Sequence, residues 1–411
     1  MNNAIYQYIN SKFTSFLLFS FLFFCFFPCL RILPLNIDKQ PNALILSFFI
    51  VVLLGKNKVV KDVAWLLFVL IAAIICMLFS WEDWLGLEIL TNYLSLFFIV
   101  YASYITLSCL GGMPYALFKW VVYIWFIVGI IQYFFYHSFM EFLLFRSNNE
   151  LMLESGRGVT GLSVEPTGYG MTCLLFLIIN YLNFRNRSTY KLFTLLLLIQ
   201  IILLSLSSTC FFCIAISAFL YMLYRILASS HRFSWLFILI VLCYIGYHIV
   251  LYLLENVDIR FTRLLQYLQE DPAVFFINGD YRLCVSFFSI KGFIDDWGMP
   301  HGFGCFNKYM ERVVENPTYA PFVSPSVLGA RKTITAIGGP LFELGIFALP
   351  IYYIIVNAFK KISLWIPKAD FCLFLLVTLM LNTINFNEAI LSLVIGNLIY
   401  LKRNGDCNVV Y

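Results

Sequence analysis

Asp62-Val-Ala-Trp-Leu-Leu-Phe-Val-Leu-Ile-Ala-Ala-Ile-Ile-Cys-Met-Leu-Phe-Ser80 carries one charge, at its first residue, and is otherwise apolar up to its terminal serine. As an α-helix at about 1.5 Å per residue it reaches about 28 Å, close to the hydrocarbon thickness of a bilayer. Similar runs cover roughly 13–33, 41–55, 62–80, 87–110, 116–137, 167–184, 190–207, 208–228, 233–254, 337–358, 370–384 and 387–401, with polar residues in islands between them. The second run and the last two are short for a full crossing, and the Ser205–Thr209 region must turn tightly between the seventh and the eighth. Of 411 residues 62% are hydrophobic and 12% charged, where a soluble domain carries roughly 25% charged. A soluble chain cannot hide that much apolar surface in one core. The expected fold is all-α and polytopic: one integral membrane domain over 1–411 with about twelve transmembrane helices.

The first run is apolar from Phe13 to Leu30 and is followed by Arg31-Ile-Leu-Pro34 rather than an A-x-A-like cleavage site. It reads as an uncleaved first span, not a signal peptide. With the N-terminus in the cytoplasm and the spans alternating, one side collects Lys12, Lys56, Lys58, Lys61, Lys119, Arg185, Arg187, Lys191, Arg225, Arg232, Lys360, Lys361, Lys368, Lys402 and Arg403. Against these fifteen stand three acids, Asp62, Asp370 and Asp406, a balance of +12 that leaves −7 on the other side, where Glu82-Asp83 lies. Lys and Arg near short loops set orientation, so both termini are expected in the cytoplasm. Two outer segments are long, 138–165 and 255–336, and long loops carry function. Of the twelve cysteines, Cys210-Phe-Phe-Cys213 forms a C-x-x-C inside an apolar run, where thiols pack as small apolar groups. Cys284 and Cys305, in the long outer segment, are not expected to form an essential disulfide.

The first long segment ends in Arg157-Gly-Val-Thr-Gly-Leu-Ser-Val-Glu-Pro-Thr-Gly-Tyr-Gly170. Its glycines permit close backbone approach and positive φ. Pro166 suits the first turn of a helix, which puts Glu165 at the entry of the sixth span, where free N–H groups and the helix dipole favour a carboxylate. Local physics by itself favours reading Glu165 as a plain helix-start acid with Arg157 its solvated partner. The second segment holds Arg260, Arg263, Arg282, Lys291, Lys308, Arg312, Arg331 and Lys332, and the turn-rich Trp297-Gly-Met-Pro-His-Gly-Phe-Gly304. Arg260 and Arg263 share one face of a helix expected to lie on the membrane surface. Guanidinium grips phosphate in a bidentate fork, although for any one of these cations interfacial snorkelling is the favoured reading. Glu343, in Gly338-Gly-Pro-Leu-Phe-Glu-Leu-Gly345, is either an ionisable residue within the apolar zone or a first-turn acid near water.

Arg-Gly-x-x-Gly-Leu-x-x-Glu-Pro-Thr-x-x-Gly at a span entry resembles the signature of O-antigen polymerases and ligases, polytopic enzymes with a large late periplasmic loop. Arg157 and Gly168, ten residues between them, resemble the arginine–glycine spacing of the polymerases' periplasmic loops; Arg282 and Gly292 form a second, imperfect copy with nine. Gly302-Phe-Gly-Cys-Phe306 is similar to the family's Gly-x-Gly-x-Phe turn, and Glu343-Leu-Gly-Ile-Phe-Ala-Leu349 to its Glu-x-Gly opening of a late span. The family's Ser-x-Ser-Arg turn reads Ser205-Leu-Ser207-Ser-Thr209 here, without the arginine. The ligases' His-Asn is absent, with Arg331-Lys-Thr333 in its neighbourhood, which points to a polymerase.

The resemblance implies glycosyl transfer at the periplasmic face of the bacterial inner membrane, moving a growing glycan from undecaprenyl pyrophosphate onto a fresh lipid-linked repeat unit. Arg157, Arg282 and Arg331, and less centrally Lys332, are then expected to neutralise the pyrophosphate leaving group. Glu165 is expected to act as base for the acceptor hydroxyl, with His301 or Glu343 as substitutes. Gly168, His301, Lys332 and Glu343 are the expected substrate contacts. No metal and no cofactor is expected, since arginines serve the phosphates and no carboxylate cluster is evident. Expected partners are the undecaprenyl-pyrophosphate-linked oligosaccharide, membrane lipid and a chain-length regulator protein, not nucleic acid. A flippase or transporter of lipid-linked saccharide would place charges deep in several spans, whereas Arg and Lys sit almost wholly outside them; a ligase shares the chemistry, and nothing specific favours a non-enzymatic scaffold.

Overall fold

The computed structural model describes residues 12–33, 35, 37–55, 59–80, 85–145, 148–154, 156–228, 232–256, 266, 281–323, 325–382 and 384–404. Lys56, Lys58, Glu82, Asp83, Asp406 and the expected surface helix with Arg260 and Arg263 lie outside the described residues.

Among the described residues the fold is all-helical, with a helix at each apolar run. In chain order these are α1 (Lys12–Phe26), α2 (Asn42–Leu54), α3 (Lys61–Phe79), α4 (Leu85–Leu110), α5 (Tyr115–Phe134), the short α6 (Asn149–Glu154), α7 (Pro166–Phe184), α8 (Tyr190–Ile199), α9 (Ser208–Ala228) and α10 (Arg232–Asn256). Then come α11 (Tyr281–Asp295), α12 (Phe306–Val314), α13 (Pro325–Leu328), α14 (Gly338–Leu344), α15 (Leu349–Ile362), α16 (Ala369–Asn382) and α17 (Ala389–Asn404). Among the described residues six are long and apolar enough to cross a membrane: α3, α4, α5, α7, α9 and the joined pair Gly338–Ile362. The apolar helices Lys12–Phe26, Asn42–Leu54, Tyr190–Leu204, Phe233–His248 and Ala369–Asn382 are shorter.

Burial sorts the helices into layers. Every residue from Ala389 to Leu401 of α17 is buried, and α4 buries sixteen residues. Lipid is as apolar as leucine, so helices associate in it by close packing rather than by hydrophobic expulsion. Gly396 supplies that closeness: a methyl group there would meet the Val100 carbonyl oxygen at 2.7 Å. Trp125, fully buried, stacks between Phe27 and Tyr169 at 6.0 and 5.6 Å, joining α5, α7 and the end of the first span. By contrast α9 and α10 turn Phe219, Leu227, Phe237 and Ile240 outward.

Two of the expected spans are interrupted. The run 337–358 is not one helix: α14 stops at Gly345 (φ 59°), a short 3₁₀ turn Gly345–Ala348 follows, and α15 begins. In lipid, orphaned backbone groups must find partners inside the protein, and the loop 298–302 supplies them. His301 N–H donates to Phe342 O (3.1 Å), Gly302 N–H to Glu343 O (3.2 Å), and Ile346 N–H to Gly298 O (2.8 Å). The seventh run likewise ends in a π-helical turn, Gln200–Leu204, before Leu206 (φ 42°) reverses the chain into α9.

The long segment 281–336 has a core of its own. Val285 and Phe288 of α11, Phe306, Tyr309 and Met310 of α12, Val327 and Ala330 gather around Phe342 of α14. Gly292 makes this fit possible, since a methyl there would press into the Phe342 ring at 2.8 Å. Cys284 and Cys305 within it face different carbonyls, those of Phe322 and Phe303, and Cys210 and Cys213 are buried along α9.

Candidate functional site

The Arg157–Glu165 loop is held by its backbone. Val159 N–H donates to Leu204 O (2.8 Å), at the end of the π turn. Gly158 lies so close that any side chain would strike the Leu204 and Ser205 backbone. The buried amide of Gln132 takes both polar groups of Gly161 (2.8 and 2.9 Å), whose φ is +60°, and Asn149 Oδ1 accepts Thr160 N–H (2.7 Å). Glycine is thus required at Gly161 by conformation and at Gly158 by contact.

Pro166 then opens α7, and Glu165 is its extended N-cap residue. The carboxylate makes no capping bond; it pairs instead with Arg282 of α11 at 3.3 Å, the two side chains 42% and 32% exposed. Arg157 is therefore not Glu165's partner. It is half-buried, its Nη1 rests 3.6 Å from Met152 Sδ, and it forms no ion pair among the described residues. Gly168 leaves room for Ser163 Oγ, from the bend that precedes α7.

Arg282 is positioned by the rest of α11. Ser286 Oγ contacts Thr335 Oγ1 (3.2 Å) and donates to Leu381 O (2.5 Å), clamping the helix to the 331–337 segment and to α16. Along that segment Arg331 is exposed, Lys332 pairs with Glu88 of α4, and Thr333 Oγ1 donates to Glu343 (2.8 Å). Glu343 is 5% exposed and also accepts from Tyr93 OH (2.6 Å). It is thus a buried carboxylate at the helix break, not a first-turn acid in water. His301 stacks on Phe342 at 4.0 Å with Nε2 2.7 Å from Asp296 and a side chain only 6% exposed. Burial lowers its pKa below the usual 6.5, against the opposing pull of Asp296. His301 is therefore part of the packing under the loop rather than an open base.

A polar cavity of about 500 Å³ opens beside these residues, lined by Asp38, Lys39, Glu88, Lys332, Asn387 and Phe145. Thr91, Ser95 and Ile99 also line it, at four-residue spacing on one face of α4, so it follows that helix for about 12 Å. Lys39 pairs with Glu388 (2.5 Å) and donates to Asn387 (3.1 Å). Leu144, next to the lining residue Phe145, packs with Val164 and Cys29, so the Glu165 loop and the cavity wall share one small apolar cluster.

The structure therefore joins Glu165 to Arg282, and Thr333, the neighbour of Lys332, to Glu343; His301 packs on Phe342, the residue before Glu343, and Arg157 pairs with neither carboxylate. Lys39, Glu88, Tyr93, Thr333 and Asn387 escape a sequence reading. Only Lys39 and Glu88 leave a trace, as isolated charges flanking spans. Chemically the face offers carboxylates beside cations in a concave, partly dehydrated setting, suited to a phosphate-bearing ligand with hydroxyls. Among the described residues no three metal-ligating side chains cluster. No model of a known protein family, no curated protein and no solved structure matches the chain.

Proposed function

We propose that this chain is an O-antigen polymerase of the bacterial inner membrane, with about twelve spans and both termini in the cytoplasm. The observation that carries the reading is the Glu165–Arg282 contact at 3.3 Å. It brings together the two outer segments in which the family resemblance lies, and the cavity of about 500 Å³ edged by Lys39 and Lys332 is large enough for part of a lipid-linked saccharide. In this reading the acceptor hydroxyl of a fresh repeat unit attacks the anomeric carbon of the growing glycan. Its proton passes to Glu165, the bond from that carbon to the pyrophosphate oxygen breaks, and undecaprenyl pyrophosphate leaves. Arg282 faces the departing phosphates, and Lys332 and Lys39 hold further charge along the cavity. Arg157 and Arg331 lie outside this pairing and serve binding at its edge. A chain-length regulator protein is the proposed partner.

The test is deletion of the gene in its host, with lipopolysaccharide resolved on a gel. One repeat unit on the core is the expected result. Bare core would indicate a ligase or flippase, and an unchanged ladder would dismiss all three. Complementation with Glu165→Gln, at matched membrane levels, should shorten the ladder severely, because a positioned base contributes roughly 10²–10⁴-fold. Arg282→Lys keeps charge but loses the fork and should do the same.

A further inference from the structure

We propose that the opposite end of the bundle carries a binding slot for the head group of an anionic phospholipid, walled by α3, α15 and α17. Lys61 opens α3 there, while the far end of the same helix meets the large loop, Ser80 Oγ accepting Phe303 N–H at 2.9 Å. The slot is a cavity of about 300 Å³ lined by Lys61, Asp62, Asn357, Lys361, Lys402 and Arg403 together with aromatic rings. Four cations thus converge with one carboxylate. Asp62 is already committed to Lys402 at 2.8 and 2.9 Å, in a pair whose side chains are only 12–13% exposed. Arg403 donates to Tyr104 OH (3.0 Å), which leaves its charge uncompensated. Lys61 and Lys361 form no ion pair among the described residues. Three like charges around so small a space repel one another, and a bound anion removes that cost.

The shape decides which anion. Tyr353, Asn357 and Lys361 stand at four-residue spacing on one face of α15, so the slot runs about 12 Å from its cationic rim toward Tyr353. Tyr353 and Trp65 are 57% and 38% exposed on the outer surface of the bundle, as amphipathic rings are at head-group depth. A soluble phosphate needs only the rim. A lipid fills the length, with phosphate among the lysines, glycerol by Asn357 and the first methylenes along the aromatic rings. Basic pockets between spanning helices bind anionic head groups in this way. The inference is independent of the polymerase reading.

The test uses the full chain, purified and stripped of lipid in detergent, titrated with a fluorescent short-chain phosphatidylglycerol. Saturable binding is expected, weakened about 25-fold in Lys61→Gln/Lys361→Gln, at about fivefold per cation. Lys191→Gln/Lys368→Gln, which removes two exposed charges from the same end outside the slot, should bind as the parent does. Equal loss in both double variants would reduce the effect to general surface charge and overturn the proposal. So would equal competition by phosphatidylcholine, or displacement by millimolar inorganic phosphate, which would make the slot a soluble-anion site.

Discussion

Glu165 turns away from the helix that it begins. Its position before Pro166 is legible in the chain, and so is the preference of a helix start for a carboxylate. Its partner is not: Arg282 lies 117 residues on, and only the docking of α11 against the Thr335 segment and α16 brings it near. His301 shows the converse. A histidine in a glycine-rich turn reads as a candidate base, yet here the ring is stacked under the turn, among Phe342, Tyr309, Asp295, Asp296 and Arg312. Its lowered pKa makes a pH prediction. The unfolded ring titrates near 6.5. Below that pH the unfolded chain binds a proton that the folded chain resists binding, so stability falls as pH drops through 6.5 toward the folded value. Protection against amide exchange across 298–303, corrected for the intrinsic pH dependence of exchange, should fall as the pH drops below 6.5, and His301→Gln should flatten the response. An undiminished response in that variant would assign it to other groups.

At the scale of elements, the break at Gly345 is the feature most open to test. Its φ of 59° with ψ of −134° is a conformation reserved for glycine, and the backbone of Gly298 occupies the space that a methyl would need. Gly345→Ala therefore combines backbone strain with a collision and should lower stability by about 3 kcal/mol or more. Gly111, also at positive φ (73°) but with open space beside it, isolates the strain, and Gly111→Ala should cost about 1 kcal/mol. The measurement is the thermal midpoint of each purified variant in one detergent, and equal shifts would dismiss the collision. The glycines and Pro340 mark a span opening in the sequence. That the helix halts after two turns follows from the loop 298–302 being present to take its freed carbonyls, a contact that local sequence does not encode.

At the scale of the whole molecule, the charge split read from the sequence predicts an orientation, and the two proposed sites depend on it. If the long outer segments share a side, single cysteines at the exposed positions Glu150 and Asn316, in a cysteine-free background, should react with an impermeant thiol reagent in cells with a permeabilised outer membrane. Cysteines at Lys191 and Lys361 should react only after lysis. Protection of both outer probes would invert the orientation and with it the leaflet of the proposed lipid slot.

Composition and run length were enough to determine an all-helical, membrane-type chain with an apolar helix at each run among the described residues, because a bilayer imposes length and apolarity on each span separately. The motif Arg157–Gly170 likewise disclosed a tight loop ending in a helix start, since glycine and proline restrict the backbone locally. The pairing of Glu165 with Arg282, the burial of Glu343 between Tyr93 and Thr333, and the cavity edged by Lys39 and Lys332 were decided only by tertiary structure. In each case the partners lie on helices far apart in the chain, and spanning helices, apolar on most faces, carry little periodic signal to say which face meets which neighbour.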